Sequence, residues 1–195
     1  MMWATLFAMS ESRVVIGRRV VVTGLAGSGR STFAVRLGAK TGLRVIHLDL
    51  SFWKPGWVAP SETEWREKQR VVLSGAEWIA DGNYHETLDQ RLQRADTLVV
   101  LDMRWWLCSW RALLRGFRMP GELPEGCDYS AWDRFRDEWQ LAGRIWRKRH
   151  VEPAREREVM SQCGQHLVVH VLTSAQDVND FFDGLSAHRV SLDDN

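Results

Sequence analysis

The fold class that this sequence predicts is a doubly wound, parallel α/β domain with a five-stranded sheet. Three observations lead there. Five apolar or β-branched runs, at 19–23, 45–49, 77–80, 97–101 and 166–172, alternate with segments of helical periodicity, as expected of parallel strands joined by right-handed helical crossovers. A glycine-rich segment, Gly24 to Thr32, lies between the first strand and the first helix. After the fourth strand the alternation is interrupted by a helical stretch at 104–150, which is expected to be a lid insertion. The domain is expected to span 19–187, with an N-terminal extension at 1–18 and a C-terminal tail at 188–195.

Each element has a local reason. Arg19-Val20-Val21-Val22-Thr23 is β-branched and stops at Gly24, as a buried strand does. Ser31 to Lys40 sets Phe33 and Leu37 four residues apart and ends near Gly42, a helix with a glycine stop. Val45 to Asp49 is the second strand, and Pro55, Gly56 and Pro60 mark a loop. Ser61-Glu62-Thr63-Glu64 is a capping box, so a helix runs from there to about Ser74 and stops at Gly75. Glu77 to Ala80 is a short strand ending at Asp81-Gly82. His85 to Ala95 is a helix with Leu88 and Leu92 on one face, and Thr97 to Leu101 is a strand closed by Asp102. In the insertion, Trp106, Trp110, Leu113 and Phe117 form a stripe that Met119-Pro120-Gly121 and Leu123-Pro124-Glu125-Gly126 break. Trp132, Phe135, Trp139, Ala142 and Trp146 then recur at helical steps, a seam expected to pack on this domain or on a second copy. His166 to Leu172 is the last strand and Ala175 to Leu185 the last helix.

Composition bounds the function. A chain of 195 residues fits one domain, and 45% apolar with 26% charged residues is ordinary globular composition, not that of a fibre or a disordered chain. Lys and Arg number 26 against 25 Asp and Glu, so the net charge of +1 opposes nucleic-acid binding by bulk charge. The 11 tryptophans, against 2 tyrosines, are expected mostly in the core. Cys108, Cys127 and Cys163 are scattered without zinc-ligand spacing, and a reducing cytoplasm is the simplest setting. The short apolar run Trp3 to Met9, followed by Ser10 to Arg13, reads poorly as a signal peptide, and no apolar run approaches the roughly 20 residues of a membrane helix.

The glycine-rich segment carries the chemistry. Gly24-Leu25-Ala26-Gly27-Ser28-Gly29-Arg30-Ser31-Thr32 follows a strand and opens a helix, the context of a Walker A loop. Its glycines let successive amides wrap a phosphate, the helix N-terminus favours the negative charge, and Ser31 stands where a hydroxyl ligates Mg²⁺. The position that such a loop gives to lysine is Arg30. The charge is kept, but a planar fork replaces a compact ammonium, so nucleotide binding is expected to persist while alignment of the γ-phosphate weakens.

The stretches GLAGSGRST at 24–32, VIHLDLSFWKPGW at 45–57, WIADGNY at 78–84, TLDQR at 87–91 and ADTLVVLD at 95–102 resemble the DNA topology modulation protein family, which belongs with the adenylate kinase-related P-loop kinases. The resemblance covers about residues 19–185 and implies a P-loop kinase-like fold. It implies that Gly24, Gly27, Ser28, Gly29, Arg30, Ser31 and Thr32 hold the phosphates of ATP. It gives Asp102, at the end of an apolar strand, a role in holding Mg²⁺ through water; the alternative is a strand-end cap. It makes Asp49 the acceptor of the attacking hydroxyl's proton; the alternative is a turn residue. Asp81-Gly82-Asn83-Tyr84 stands where nucleoside monophosphate kinases have an Asp-Gly turn leading to an arginine, and here the nearest arginine is Arg91. Asp49, Phe52, Trp53 and Lys54 therefore suit an uncharged hydroxyl acceptor at least as well as a monophosphate, with Asp81, Asn83, Tyr84 and Arg91 beside it. Trp53 and Trp57 flank a Pro-Gly turn and either stack on a planar ring or anchor the loop. Arg104, Arg111, Arg115 and Arg118 are the lid's arginines. Arg111 and Arg115, four residues apart, clamp the transferring phosphoryl in the resembling enzymes' manner, Arg111 also on the nucleotide; the alternative is a solvated basic face. His47, His85 and His150 have no partners at ligand spacing and read as structural.

The expected function is Mg²⁺-dependent phosphoryl transfer from ATP to a nucleoside, nucleotide or other small hydroxyl acceptor, by a monomer or homodimer. The first alternative is a nucleotide-binding protein with weak or no catalysis because of Arg30. The second, a DNA-associated regulator, rests on the family's name and is opposed by the net charge.

Overall fold

Val20, Val21 and Val22 are wholly buried, and they carry β1 (Arg19–Gly24) through the centre of the sheet. The computed structural model describes residues 14–115, 125, 127, 141, 143, 145–147, 157–162 and 165–186. β2 (Val45–His47), β3 (Trp78–Asp81), β4 (Thr97–Leu101) and β5 (Val168–Leu172) complete a sheet of order β2-β3-β1-β4-β5. Every pairing is parallel. A parallel sheet is covered on both faces, which explains why β3 and β4 are buried at every residue instead of alternating. Asp96 fixes the entry to β1: its Oδ2 accepts from the Arg19 amide at 3.0 Å and its Oδ1 from the Arg19 guanidinium at 2.7 Å.

The helices divide between the two faces. On one, α1 (Arg30–Thr41) and α6 (Ala175–Ser186) bring Phe33, Leu37, Phe181 and Phe182 together. The rings of Phe33 and Phe182 lie 5.0 Å apart. On the other, α3 (Glu62–Val72) and α4 (Leu88–Leu92) bury Trp65, Leu88 and Leu92 against Val21, Leu98 and Val100. The capping box forms as its residue pattern requires: the Ser61 hydroxyl accepts from the Glu64 amide, and Glu64 accepts from the Ser61 amide at 2.8 Å.

Three segments depart from the expected elements. β2 ends at His47, and Leu48–Phe52 forms a short helix, α2, so Asp49 sits in a first helical turn instead of at a strand end. The helix expected over 85–95 is a 3₁₀ turn (His85–Thr87), closed by the Thr87 amide on the Tyr84 carbonyl at 3.1 Å, followed by α4. Among the described residues tryptophan is not mainly a core residue: Trp65 and Trp78 are buried, whereas Trp105, Trp106, Trp110 and Trp146 are exposed.

α5 (Trp105–Arg115) explains the last point. Its inward residues are Cys108 and Ala112, and Trp106 and Trp110 face out. Small inward side chains let the helix backbone close on the segment after β1, where a Cβ built on Gly27 would lie 2.2 Å from the Cys108 carbonyl oxygen. Farther along the insertion, Ile145 is buried and Leu141 packs against the same cluster, so the packed face is not the one carrying Trp146. Phe117, the breaks at 119–126 apart from residue 125, Trp132, Phe135, Trp139, Ala142 and His150 lie outside the described residues, as do 1–13 and 187–195. Cys108 and Cys127 are free and buried; Cys163 also lies outside the described residues. Among the described residues no helix is long and apolar enough to cross a membrane.

Replacing Trp78, which is 1% exposed, with Ala costs about 3–5 kcal/mol of folding free energy in urea denaturation. Trp110→Ala, at a site 58% exposed, changes it by about 0.5 kcal/mol or less. Equal losses at the two positions contradict the assigned packing of α5.

Candidate phosphate-loop site

Parallel strands end at one edge, so the residues after β1, β2, β3 and β4 share that edge, where open α/β sheets bind ligands. The segment after β1 turns tightly: the Ser28 amide donates to the Leu25 carbonyl at 3.0 Å. Gly27 and Gly29 take φ of 81° and 99°, in the left-handed region where glycine is at ease. Gly29 is the N-cap of α1 and supplies no side-chain oxygen, so the first amides of α1 face outward unbonded by a cap. The Ser28 hydroxyl is buried and makes no hydrogen bond among the described residues. From above, Arg111 donates to the Ser28 carbonyl at 3.3 Å. Gly24, Gly27, Ser28, Gly29, Arg30, Ser31 and Thr32 thus stand in the strand–loop–helix arrangement that the motif requires, with Ser31 and Thr32 exposed. The Arg115 side chain and Arg118 lie outside the described residues, and Arg104 is exposed.

Two carboxylates flank the loop. Asp81, at the end of β3, is buried and opposite Val22 of β1. Burial pushes its carboxyl up, but a hydrogen bond to His47, the Arg30 charge and the Ser31 hydroxyl outweigh this and hold it below the ordinary carboxylate value. The His47 contact is 3.0 Å, between Nδ1 and Oδ2. Parallel register sets His47 opposite Asp81, a juxtaposition that linear spacing does not reveal. Asp102, after β4, is half-buried, and burial raises its carboxyl above the ordinary value. Its side chain makes no hydrogen bond among the described residues. The carboxylate beside Ser31 is Asp81, which the sequence assigned to the acceptor side. Among the described residues no group of three or more His, Cys, Asp or Glu side chains clusters as a metal cage. A hydroxyl and one nearby carboxylate instead fit Mg²⁺ that keeps most of its waters and takes phosphate oxygens.

The other side of the edge is aromatic. Asp49 is exposed and accepts a 2.7 Å hydrogen bond from the Tyr84 hydroxyl. Tyr84 packs against Phe52 and Trp65, with ring centroids at 4.7 and 4.9 Å. Burial, and then the Asp49 charge, push the Tyr84 phenol far above its ordinary value, so it remains a donor. Trp53 meets Phe52 edge-on at 5.0 Å and Trp57 at 5.6 Å. Trp53 and Trp57 thus contact each other across the Pro55-Gly56 turn, which the Lys54 amide closes on the Val58 carbonyl at 2.9 Å. The Cys127 thiol donates to the Lys54 carbonyl at 3.4 Å, so the insertion touches this turn. The Lys54 ammonium pairs with Glu64 at 2.9 Å.

Arg91 corrects the sequence reading. It is wholly buried. Its Nη1 donates to the Gly82 carbonyl at 2.7 Å, and its Nη2 to the carbonyls of Asn83 and Tyr84 at 3.0 and 2.9 Å. The guanidinium therefore braces the loop after β3 from behind instead of meeting an acceptor. That loop presents Asn83 forward, where its Oδ1 accepts from Arg30 Nη1 at 2.5 Å. Asn83 and Tyr84 are thereby brought to the phosphate loop and to Asp49 respectively.

A five-stranded parallel sheet with a glycine loop leading from its central strand into an uncapped helix is a P-loop α/β fold. No protein-family model matches the chain, and no curated protein matches it. Among solved structures it is similar to a crystal structure of a gluconokinase from Sinorhizobium meliloti 1021, at 15% identity over 86% of this chain and 91% of that one, with a TM-score of 0.47.

Two outcomes check this geometry. Arg91→Met keeps most of the volume but takes the donor from the Gly82 and Asn83 carbonyls, at about 1–3 kcal/mol for each group left unbonded, while the Tyr84 carbonyl keeps the Thr87 amide and hydroxyl; a loss on the order of 2 kcal/mol or more is expected in denaturant melts. A loss below 1 kcal/mol removes the brace. Asp81 titrates below its unfolded value, so its contribution to stability is complete above about pH 4 and is lost as pH falls further. Asp81→Asn therefore flattens the acid limb of the stability curve, and an unchanged limb contradicts the assignment.

Proposed function

We propose that this protein transfers the γ-phosphoryl group of ATP to a small, uncharged hydroxyl acceptor. One observation carries the reading. The glycine loop that suits polyphosphate and the Asp49–Tyr84 pair that suits a hydroxyl stand along one sheet edge, bridged by Arg30 and Asn83. Gly24, Gly27, Ser28 and Gly29, with the first amides of α1, would surround the phosphates, and Arg111 sits on the Ser28 carbonyl ready to meet them. Mg²⁺, when bound, neutralises charge on the phosphates; Ser31 and Asp81 are the residues best placed to hold it, with Asp102 on the opposite flank. Asp49 accepts the proton of the attacking hydroxyl, and Tyr84 fixes the carboxylate's orientation by donating its hydroxyl to Oδ1. Trp53 lines the acceptor side. Arg111 and Arg115 are the lid cations that would stabilise charge on the transferring group.

The acceptor's lack of charge follows from the cations. The Arg91 guanidinium is engaged by the carbonyls of Gly82, Asn83 and Tyr84, Lys54 is paired with Glu64, and the Asp49 carboxylate is exposed on the acceptor side. A monophosphate acceptor needs a cation there. A second reading, a nucleotide-binding protein with little transfer, is favoured by the same Arg30–Asn83 bond, which draws the guanidinium toward the acceptor loop.

Phosphate transfer from labelled ATP–Mg²⁺ across a panel of nucleosides, nucleoside monophosphates and sugars separates the readings. Acceptor-dependent transfer, greatest with uncharged acceptors, is expected. Asp49→Asn is expected to lower it by about 10²–10⁴-fold while ATP binding persists in calorimetry. ATP binding without transfer to any acceptor supports the second reading. Full transfer by Asp49→Asn removes Asp49 from the chemistry.

A further inference from the structure

Arg30 stands where a loop of this pattern carries lysine, and the exchange alters geometry more than charge. An ammonium is a point donor on a flexible stem, whereas a guanidinium is a flat fork with donors on more than one edge. In this chain the fork reaches from the first residue of α1 to the loop after β3, where Nη1 donates to Asn83 Oδ1 at 2.5 Å. Its charge also bears on the Asp81 carboxyl and the Tyr84 hydroxyl. Asn83 is not free to drift from it. The carbonyls of Gly82, Asn83 and Tyr84 are pinned by the buried Arg91. An amide oxygen turned to a guanidinium leaves the Nδ2 donors on the other side of the carboxamide. The next residue, Tyr84, is the one that holds Asp49. A single side chain therefore connects the phosphate loop to the loop that orders the acceptor side.

We infer that Arg30 and Asn83 form a coupling pair: the guanidinium engages a nucleotide phosphate with one edge and Asn83 with another, so that filling the phosphate loop tightens residues 82–87 around Asp49. Asn83 is a positioning residue that acts through Arg30, and Arg30 is a gain in reach over lysine instead of a decayed lysine. The inference rests on the nucleotide site proposed above. Coupling of this kind is reciprocal, so whatever orders 82–87 also raises nucleotide affinity.

The test is backbone hydrogen exchange on the full chain, with and without the Mg²⁺ complex of the β,γ-imido analogue of ATP, with calorimetry alongside. In the native protein the analogue slows exchange at 25–33 and also at 82–87, the latter by at least about fivefold, the low end of coupling factors between sites. Arg30→Lys and Asn83→Ala still bind the analogue measurably and keep protection at 25–33 but lose it at 82–87. The double variant loses no more than either single one, as expected of residues acting as a unit. Asn83→Asp, which keeps an oxygen facing Arg30, restores protection at 82–87; it also serves where Asn83→Ala fails to fold, since a merely structural asparagine gives no such rescue. Protection at 82–87 that is absent in the native protein despite binding, or that survives in both single variants, overturns the coupling alone. No heat of binding by the native protein at millimolar analogue overturns the nucleotide site, and the coupling with it.

Discussion

The acceptor side of the molecule depends on one buried guanidinium. Arg91 sits on α4, wholly removed from water, and gives its donors to three successive carbonyls. A buried charge is costly unless it is hydrogen-bonded, and the two Nη groups meet that need at the carbonyls of Gly82 to Tyr84, which are held wherever the helix is held. That fixes the two side chains the loop sends forward, Asn83 toward Arg30 and Tyr84 toward Asp49. The geometry of the candidate site is thus inherited from a residue that touches none of it from the front.

The second organising element is the packing of α5 on the phosphate loop. Its buried residues, Cys108 and Ala112, are small, and its largest, Trp105, Trp106 and Trp110, face out. Close approach of two backbones is favoured over burial of large rings at this contact, and Arg111 on the same helix gains a carbonyl of the loop. The insertion is therefore tied to the domain at both sides of the edge, through Arg111 at Ser28 and through Cys127 at the Lys54 turn.

Local chemistry was legible in the sequence, and long-range chemistry was not. The valine run of β1, the glycine loop, and the Ser61–Glu64 capping box each need only neighbours within a few residues, and each stands as expected. The strand order and the pairing of His47 with Asp81 arise from register between separate strands, for which the chain carries no local signal. Both 78–81 and 97–102 are apolar runs ending in Asp, and both strands flank β1, so pattern alone could not say which carboxylate lies near Ser31; the folded chain sets Asp81 there. Arg91 looked like a ligand-binding arginine because it is the nearest one after the Asp81-Gly82 turn, and nothing short of the fold reveals the carbonyls waiting for it. The tryptophans misled for a different reason. On α5 both faces are apolar enough to pack, and the choice between them was made by the backbone opposite, not by hydrophobicity.

The contact between Gly27 and the carbonyl of Cys108 joins main chain to main chain. Such a contact distributes sequence constraint unequally between its two partners. Position 27 can accept no side chain at all, because any Cβ collides with an oxygen that every amino acid carries. Position 108 contributes only that oxygen and is bounded merely by the volume of its pocket. In a library randomised at both sites, position 27 should collapse to one residue, whereas position 108 should drift among small ones. A reader of sequence variation alone would see an invariant glycine in a motif and miss that half of its reason lies on a helix some eighty residues away.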